Sequence, residues 1–502
     1  MIRLPKYLIM YLTGTLVLIQ CSQKKSELAW ETKLYTIGSQ SSPRAADLNK
    51  DGIKDIVIGA AQNENQHTNQ GVIAIDGQSG KVLWKQEAAD QVFGSATFHD
   101  ITGDDIPDVF IGGRSPQFRA LDGSNGQVLW EYQFQHQDDS ILQYARFNFY
   151  NSALIPDQNQ NDYPELLTVN GGNVKALPYN TEERYPGVMM VFDSKTGAIL
   201  AADTMPDGRE TYLSPVCFTQ PGSEDYQIIF GTGGETISGN LYQSALSDFM
   251  SAGLSAAKVL ASETGHGFIA PPSIADITGD GFYDIVAISH ASTVFAIDGK
   301  TAKTYWKTTI PGTESSNSFA VGYFNQDDIP DFFTFVSKGV WPNSTAAVQV
   351  MLDGKNGTIG FQDSMGCVTF SSPVAYDLNK DGIDEAILSY HDFNCHRDST
   401  DLSNLDIETF LVAINFRDHA VIPIDRKKRF KNVFSTPWIG DLDNDGYLDI
   451  VNSQCYSHND NLLSFLGMNV RRISTNIRMN KTPAWGGYMG VNGDGVFPME
   501  KD

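Results

Sequence analysis

The chain has 502 residues, which is long for one ordinary domain but not for a domain built from repeats. Hydrophobic residues make up 41% and charged residues only 19%, and many glycine and aromatic residues with few long helical patterns predict an all-β globular protein. The formal net charge of −24 argues against a nucleic-acid partner, because binding phosphates requires a basic face.

The first residues predict export from the cytoplasm. A positively charged start is followed by an apolar stretch at 7–19, which is too short for a good transmembrane helix. The stretch ends in Leu18-Ile19-Gln20-Cys21, which resembles a lipobox, where the cysteine becomes the lipidated first residue of the mature protein. We therefore expect a signal peptide at 1–21, a lipid anchor on Cys21 and a polar tether at 22–29. A plain secretory signal or a membrane anchor is the alternative.

One acidic pattern recurs along the rest of the chain. Its best copy is Asp47-Leu48-Asn49-Lys50-Asp51-Gly52-Ile53-Lys54-Asp55, and an apolar run follows it. Intact or weakened copies start at residues 47, 100, 157, 219, 276, 323, 377 and 441. A period of about 55 residues fits one four-stranded blade of a β-propeller with its loops. We therefore predict an all-β fold in which residues 30–502 form a single β-propeller of eight blades, with seven blades as the alternative.

Two further patterns complete the predicted blades. The segments 74–84 and 120–130 each contain a short strand, an Asp-Gly turn and a second short strand, and these hairpins resemble the blades of quinoprotein-like propellers. We expect their tryptophans, and Trp306 in a fainter copy, to pack between blades. Near the carboxyl terminus, residues 485–490 have a strand-like composition, and we expect them to pair with residues 30–38 and close the ring.

Oxygen donors alternate along each acidic loop, and a hard cation such as Ca²⁺ prefers that arrangement. The repeated loop resembles the FG-GAP or VCBS-type repeat of integrin α-like propellers, in which the loop between the first two strands of a blade binds calcium. The resemblance implies about six calcium sites, one in each intact loop. Their ligands would be Asp47, Asn49, Asp51, the Ile53 carbonyl and Asp55; Asp100, Thr102, Asp104 and Asp108; Asp157, Asn159, Asn161 and Glu165; Asp276, Thr278, Asp280 and Asp284; Asp377, Asn379, Asp381 and Glu385; and Asp441, Asp443, Asp445 and Asp449. The alternative is that these loops are Asx turns without a metal.

Candidate binding residues lie in the loops that follow the second strand of each predicted blade. The propeller plan places these loops on the face opposite the acidic loops. They contain Arg114, Lys175, Glu235, His290, Lys338, Trp341, His391, Asp392, His396, Tyr456 and His458.

The sequence carries no nucleophile elbow, Walker loop, zinc-protease helix or haem-attachment motif. A binding function is therefore favoured over an enzymatic one. We expect a calcium-binding lipoprotein of the cell envelope, held at the outer membrane and facing the periplasm or the outside, whose ligand is a protein or a glycan. The alternative is a propeller-fold enzyme, such as a polysaccharide lyase acting on acidic glycans.

Overall fold

Short runs of buried aliphatic and aromatic residues, separated by turns rich in glycine and aspartate, form antiparallel strands along the chain. The structure, a computed structural model, describes residues 26–135, 137–173, 175–340, 344–392, 407–456 and 463–499. The strands up to residue 263 are β1 (Glu27–Tyr35), β2 (Arg44–Ala46), β3 (Asp55–Gly59), β4 (Thr68–Ile75), β5 (Val82–Ala88), β6 (Thr97–His99), β7 (Asp108–Gly112), β8 (Phe118–Leu121), β9 (Val128–Glu131), β10 (Asn148–Phe149), β11 (Ala153–Ile155), β12 (Glu165–Gly171), β13 (Val188–Asp193), β14 (Ile199–Thr204), β15 (Val216–Thr219), β16 (Tyr226–Gly231), β17 (Gly239–Ala245) and β18 (Lys258–Glu263).

The remaining strands are β19 (Ser273–Ala275), β20 (Asp284–Ile288), β21 (Thr293–Asp298), β22 (Lys303–Thr309), β23 (Thr313–Glu314), β24 (Ala320–Gly322), β25 (Asp331–Lys338), β26 (Ala346–Leu352), β27 (Ile359–Asp363), β28 (Val374–Tyr376), β29 (Glu385–Asp392), β30 (Glu408–Asn415), β31 (Ala420–Lys428), β32 (Trp438–Gly440), β33 (Tyr447–Tyr456) and β34 (Gly467–Arg478). A helix, α1 (Leu246–Ala252), and a 3-10 turn at Leu142–Tyr144 accompany them. In the part of the chain that the structure describes, no helix is long and apolar enough to cross a membrane.

Within the described residues the strands form eight antiparallel sheets, each of which is one blade. Blade 1 contains β2–β5, blade 2 β6–β9, blade 3 β10–β14, blade 4 β15–β18, blade 5 β19–β22, blade 6 β23–β27, blade 7 β28–β31, and blade 8 β32–β34 with β1. Apart from β1, the strands of each blade follow one another in chain order from the inner to the outer edge, and in blades 3 and 6 two short strands share the inner position. The all-β fold and the eight-bladed propeller are therefore confirmed.

The ring closes through the amino-terminal strand. β1 pairs with β34 and becomes the outermost strand of blade 8. The indole nitrogen of Trp30 in β1 donates a hydrogen bond to the Gly77 carbonyl of blade 1 at 2.8 Å. The prediction that residues 485–490 pair with residues 30–38 is therefore wrong, because β34 already provides the partner of β1.

Tryptophans on the outer strands join one blade to the next. The indole nitrogens of Trp84, Trp130 and Trp306 each donate to a backbone carbonyl in the hairpin of the following blade at 2.7 Å. The same hydrogen bond is made by Trp30 across the ring closure. The predicted packing of these tryptophans between blades is confirmed.

The carboxyl-terminal segment fills the central channel. Backbone hydrogen bonds join Gly486 to Ile439 in blade 8, Trp485 to Ala375 in blade 7, and Gly495 to Ile274 in blade 5. These contacts are made with inner strands on different sides of the ring, so the segment lies on the axis between them. Trp485 is almost completely buried there.

Candidate functional site

A cavity of about 470 Å³ opens on the propeller axis. Its walls come from the segments that precede the inner strands and from loops that follow the second strands. Its floor includes Tyr488 of the axial carboxyl-terminal segment. We call this side of the ring the cavity face. It lies opposite the acidic loops, because each inner strand begins at the cavity face and runs into an acidic loop.

A series of hydrogen bonds between neighbouring blades stabilises the mouth of the cavity. In each link the backbone nitrogen just before one inner strand donates to a polar side chain at the same position of the next blade. The links run from Ser42 to Ser95, Ser95 to Asn151, Asn151 to Ser214, Ser318 to Ser372, Ser372 to Thr436, and Thr436 to Ser42, at 2.8–3.3 Å. Because buried backbone donors are satisfied in this way, the mouth is a pre-formed feature of the scaffold.

Two arginines line the cavity, and each is paired with a carboxylate. Arg184 contacts Glu210 at 2.8 Å and donates to the Tyr212 hydroxyl at 2.9 Å. Burial alone would lower the pKa of Arg184, but Tyr212 and Glu210 raise it above its usual value. Arg114 contacts Glu64 at 2.5 Å and lies over the Phe93 ring at 4.8 Å. The cavity therefore combines neutralised cations with aromatic surface.

The structure separates the sequence-derived binding candidates into three groups. Arg114 and Glu235 line the cavity, and His290 is buried beside its wall. Lys175 and Lys338 are exposed. The buried His391 contacts the Asn432 carbonyl at 3.0 Å, and burial lowers its pKa to about 4, so it is a neutral structural residue.

Several predicted residues lie outside the described part of the chain. They are Cys21, Trp341, His396 and His458. Conversely, the sequence analysis did not single out Phe93, Tyr150, Arg184 or Tyr212, which line the cavity. Phe93, Tyr150 and Tyr212 each lie seven residues before the start of an acidic loop, so the repeat spacing could have identified them, whereas Arg184 lies outside that pattern.

In the acidic loops, the ninth position has a clear structural role. The Asp55 carboxylate accepts hydrogen bonds from the backbone nitrogens of Leu48 in its own loop and Gly77 in the outer hairpin, both at 2.9 Å. Asp108, Asp284 and Asp331 make the same pair of contacts in blades 2, 5 and 6. This carboxylate therefore ties the loop to the outer hairpin, which in blades 1, 2 and 6 also receives the tryptophan of the preceding blade.

Burial of the ninth-position carboxylates changes their ionisation. Burial raises the pKa of Asp55 to about 6, and the pKa of Asp331 and Glu385 to about 7. At the first position of the second loop, Asp100 behaves in the opposite way. Burial would raise the pKa of Asp100, but the N–H groups of Gly103 and Asp105 donate to it and lower the pKa below its usual value.

The first and fifth positions form Asx turns. The Asp47 carboxylate accepts from the Gly52 nitrogen at 3.0 Å, and Asp51 accepts from the Ile53 nitrogen at 2.8 Å. The same two contacts recur in the loops that start at Asp100, Asp157, Asp276, Asp377 and Asp441. Asp105 and Asp162 adopt the left-handed conformation that Gly52 has in the first loop, with φ of 60° and 69°.

The predicted calcium ligands fit a cation to different degrees. In blade 8, oxygens of Asp441, Asp443 and Asp449 lie within 4.8 Å of one another. The Arg472 guanidinium contacts Asp443 at 2.5 Å and Asp449 at 2.9 Å, so an ion would share these carboxylates with it. In blades 1, 2 and 5 the first- and fifth-position carboxylates accept hydrogen bonds from backbone nitrogens of their own loop, and the ninth-position oxygens also face backbone donors. The calcium ligand sets stay a prediction.

Comparison with known proteins identifies similar propellers. A family model described as outer membrane protein assembly factor BamB matches residues 13–203. No curated protein sequence matches the chain. A europium-containing methanol dehydrogenase is 9% identical, with 89% of this chain and 93% of that chain covered and a TM-score of 0.55. The quinohemoprotein alcohol dehydrogenase from Comamonas testosteroni is 11% identical, with 91% and 77% covered and a TM-score of 0.52. BamB from Moraxella catarrhalis is 11% identical, with 89% and 98% covered and a TM-score of 0.48.

At these identities the two dehydrogenases show the fold alone. The family model that matches residues 13–203 is of the BamB type. The FG-GAP, VCBS and integrin α-like assignment is therefore wrong. The misleading signal was the acidic loop, whose ninth-position carboxylate has a backbone-tying role in this propeller, while the hairpins with their tryptophans carried the correct resemblance to quinoprotein-like blades.

Proposed function

We propose that this chain is a protein-binding propeller of the cell envelope that holds its partner on the cavity face. The observation that carries the proposal is the position of its most exposed apolar side chains. Among the described residues, the three large hydrophobic side chains with the greatest exposure are Tyr179 (72%), Tyr35 (71%) and Leu177 (68%). All three belong to the cavity face, since Tyr35 ends β1 and the other two lie between β12 and β13.

The segment between β12 and β13 is held in place beside the cavity. Ala176 and Pro178 line the cavity, while Leu177 and Tyr179 are turned to solvent. The Thr236 hydroxyl of blade 4 accepts a hydrogen bond from the Tyr179 nitrogen at 3.1 Å, and Tyr179 has a φ of 62°, which is uncommon for a bulky residue. Exposed apolar and aromatic side chains around a pre-formed mouth are typical of protein-binding surfaces.

The comparisons support a protein partner in the envelope. The matching family model is described as an outer membrane protein assembly factor, and its match at 13–203 includes the segment between β12 and β13. The predicted export signal at the amino terminus agrees with an envelope location. A lipid anchor on Cys21 is part of the proposal, and a glycan ligand is the alternative that the experiment below distinguishes.

A polysaccharide lyase is less well supported by the cavity. Such an enzyme needs a cation that neutralises the carboxylate of an acidic sugar. Arg114 and Arg184 are instead paired with Glu64 and Glu210 inside the wall. We therefore favour binding over catalysis.

The test is site-specific photo-crosslinking in intact cells. A photoreactive residue replaces Tyr179 or, as the control, Tyr305, which is 47% exposed on the outer strand β22. We expect position 179 to yield a defined adduct with an envelope protein, and position 305 to yield none. The double substitution Leu177→Asp and Tyr179→Asp should weaken capture of that protein, because each central apolar contact contributes about 2 kcal/mol, or roughly thirtyfold in affinity. The same adducts at both positions, or glycan alone, would contradict the proposal.

We also propose that the intact acidic loops hold structural calcium ions on the opposite face. Their Asx turns hold first- and fifth-position oxygen donors at partly or fully exposed positions, and six divalent ions would change the formal net charge from −24 to about −12. This proposal is independent of the binding face and is tested by chelation.

A further inference from the structure

Two histidines and a glutamate meet where blades 4, 5 and 6 adjoin. His266 lies between β18 and β19, His290 lies between β20 and β21, and Glu314 belongs to β23. One ligand atom from each lies within 4.8 Å of the other two. The cluster is separate from the acidic loops, because it is on the cavity side of the ring.

The hydrogen bonds of the two histidines fix their tautomers. His266 Nδ1 lies 2.7 Å from the Glu235 carbonyl oxygen, and His290 Nδ1 lies 2.9 Å from the Ser315 carbonyl oxygen. A carbonyl oxygen only accepts, so in both rings Nδ1 carries the hydrogen and Nε2 presents its lone pair. Metal-binding histidines are oriented in this way, with the second nitrogen bonded to a backbone carbonyl.

The Nε2 atom of His290 has no hydrogen-bond partner although the side chain is only 4% exposed. It lies 3.5 Å from Glu314 Oε2, beside a void of about 10 Å³. A buried lone pair that faces a carboxylate is satisfied by a cation between them, which is either a proton on Nε2 or a bound metal ion. Tetrahedral zinc, with ligand distances of about 2.0–2.1 Å, separates its ligand atoms by about 3.3 Å, close to the spacing of this pair.

We propose that His266, His290 and Glu314 bind one divalent first-row transition-metal ion, with zinc as the ion to test. Two imidazoles and a carboxylate suit such an ion, whereas calcium prefers oxygen ligands alone. Three protein ligands leave one tetrahedral position open. The small void adjoins the large cavity, because Glu235, Ser316 and Phe370 line both.

The experiment is a zinc titration of the full-length chain, prepared without a polyhistidine tag. Excess Ca²⁺ is present so that zinc does not bind the acidic loops. We expect one equivalent of Zn²⁺ to bind, and Co²⁺ in its place to give the intense visible bands of a four-coordinate site. His266→Asn and Glu314→Gln should each weaken zinc binding at least tenfold. His266 is partly exposed, so its replacement tests the site without disturbing the core.

The matched control is His67→Asn. His67 lies 3.5 Å from Glu87, and both side chains are about two-thirds exposed, so this pair has the same chemistry without the burial. The control should bind zinc as the unmodified chain does, and circular dichroism should show that every variant is folded. Absence of zinc binding by the unmodified chain, or unchanged affinity in folded His266→Asn and Glu314→Gln, would overturn the proposal.

Discussion

Replacing Asp331 with asparagine should remove a defined part of the pH dependence of stability. Asp331 is fully buried at the ninth position of the blade 6 loop, and its carboxylate accepts from the nitrogens of Phe324, Asn325 and Gly354 at 3.0 Å. Burial raises its pKa from 3.8 to about 7. Because the folded-state pKa is the higher one, this group contributes stability that is fully present below pH 3.8 and is lost as the pH rises through about 7.

The size of the effect follows from the two pKa values. Each pKa unit corresponds to about 1.4 kcal/mol, so the two units between pH 5 and the folded-state pKa correspond to about 3 kcal/mol. The free energy of unfolding of the unmodified chain should therefore fall by about 3 kcal/mol more between pH 5 and pH 8 than that of Asp331→Asn. The difference between the two pH profiles is the test, since asparagine also places an amide donor against backbone donors and changes the absolute stability.

Equilibrium urea unfolding at pH 5 and pH 8, followed by tryptophan fluorescence, measures this difference. The matched control is Asp328→Asn, which removes the same charge from an exposed position of the same loop and should keep the pH profile of the unmodified chain. Parallel pH profiles for the unmodified chain and Asp331→Asn would refute the reasoning, because they would show that Asp331 does not titrate with a raised pKa.

Three further predictions concern the repeat, the channel and the acidic loops. Gly354→Ala should cost more than about 3 kcal/mol or prevent folding, because the added Cβ would overlap the Pro330 carbonyl, whereas Gly382→Ala has open space and should cost about 1 kcal/mol; soluble yield and thermal unfolding measure both. Trp485→Ala should destabilise the protein by about 3–5 kcal/mol by leaving a cavity on the axis, while Val491→Ala, 41% exposed in the same segment, should change the free energy of urea unfolding by less than about 1 kcal/mol. Removing calcium with EGTA should lower the thermal midpoint, because the clustered carboxylates would repel one another; an unchanged midpoint would contradict calcium binding.

The blades were predictable because each is encoded locally. One copy of the acidic loop and one hairpin lie within about 55 consecutive residues. The best-preserved copies show the turns, the apolar runs and the tryptophan. Local sequence patterns did not predict the pairing partner of residues 485–490. Their strand-like composition was recognised, but a segment that occurs once carries no information about which of the eight inner strands it contacts.

The cavity and the histidine cluster were not predictable for a related reason. Arg184 and Tyr212 come from connections of different blades, and so do His266 and His290. Their proximity depends on how neighbouring blades pack, and the repeat spacing indicates only Tyr212, which lies seven residues before the loop that starts at 219. The sequence predicts His290 as a binding candidate in a loop, whereas the structure buries it and turns it towards Glu314.

The weakened acidic loop of blade 6 distinguishes the role of the ninth-position carboxylate from the role of the other predicted metal ligands. In blade 6 the first position is Tyr323, yet Asp331 remains at the ninth position and makes the same contacts as Asp55. If the ninth-position carboxylate only bound a metal ion, there would be no reason for it to keep its hydrogen bonds to backbone nitrogens in a loop that lacks the first ligand. Its role is therefore to satisfy the backbone donors of Phe324 and Gly354, and it persists for that reason. A test for calcium must accordingly change the first and fifth positions, because a substitution at the ninth position would disturb the blade with or without an ion.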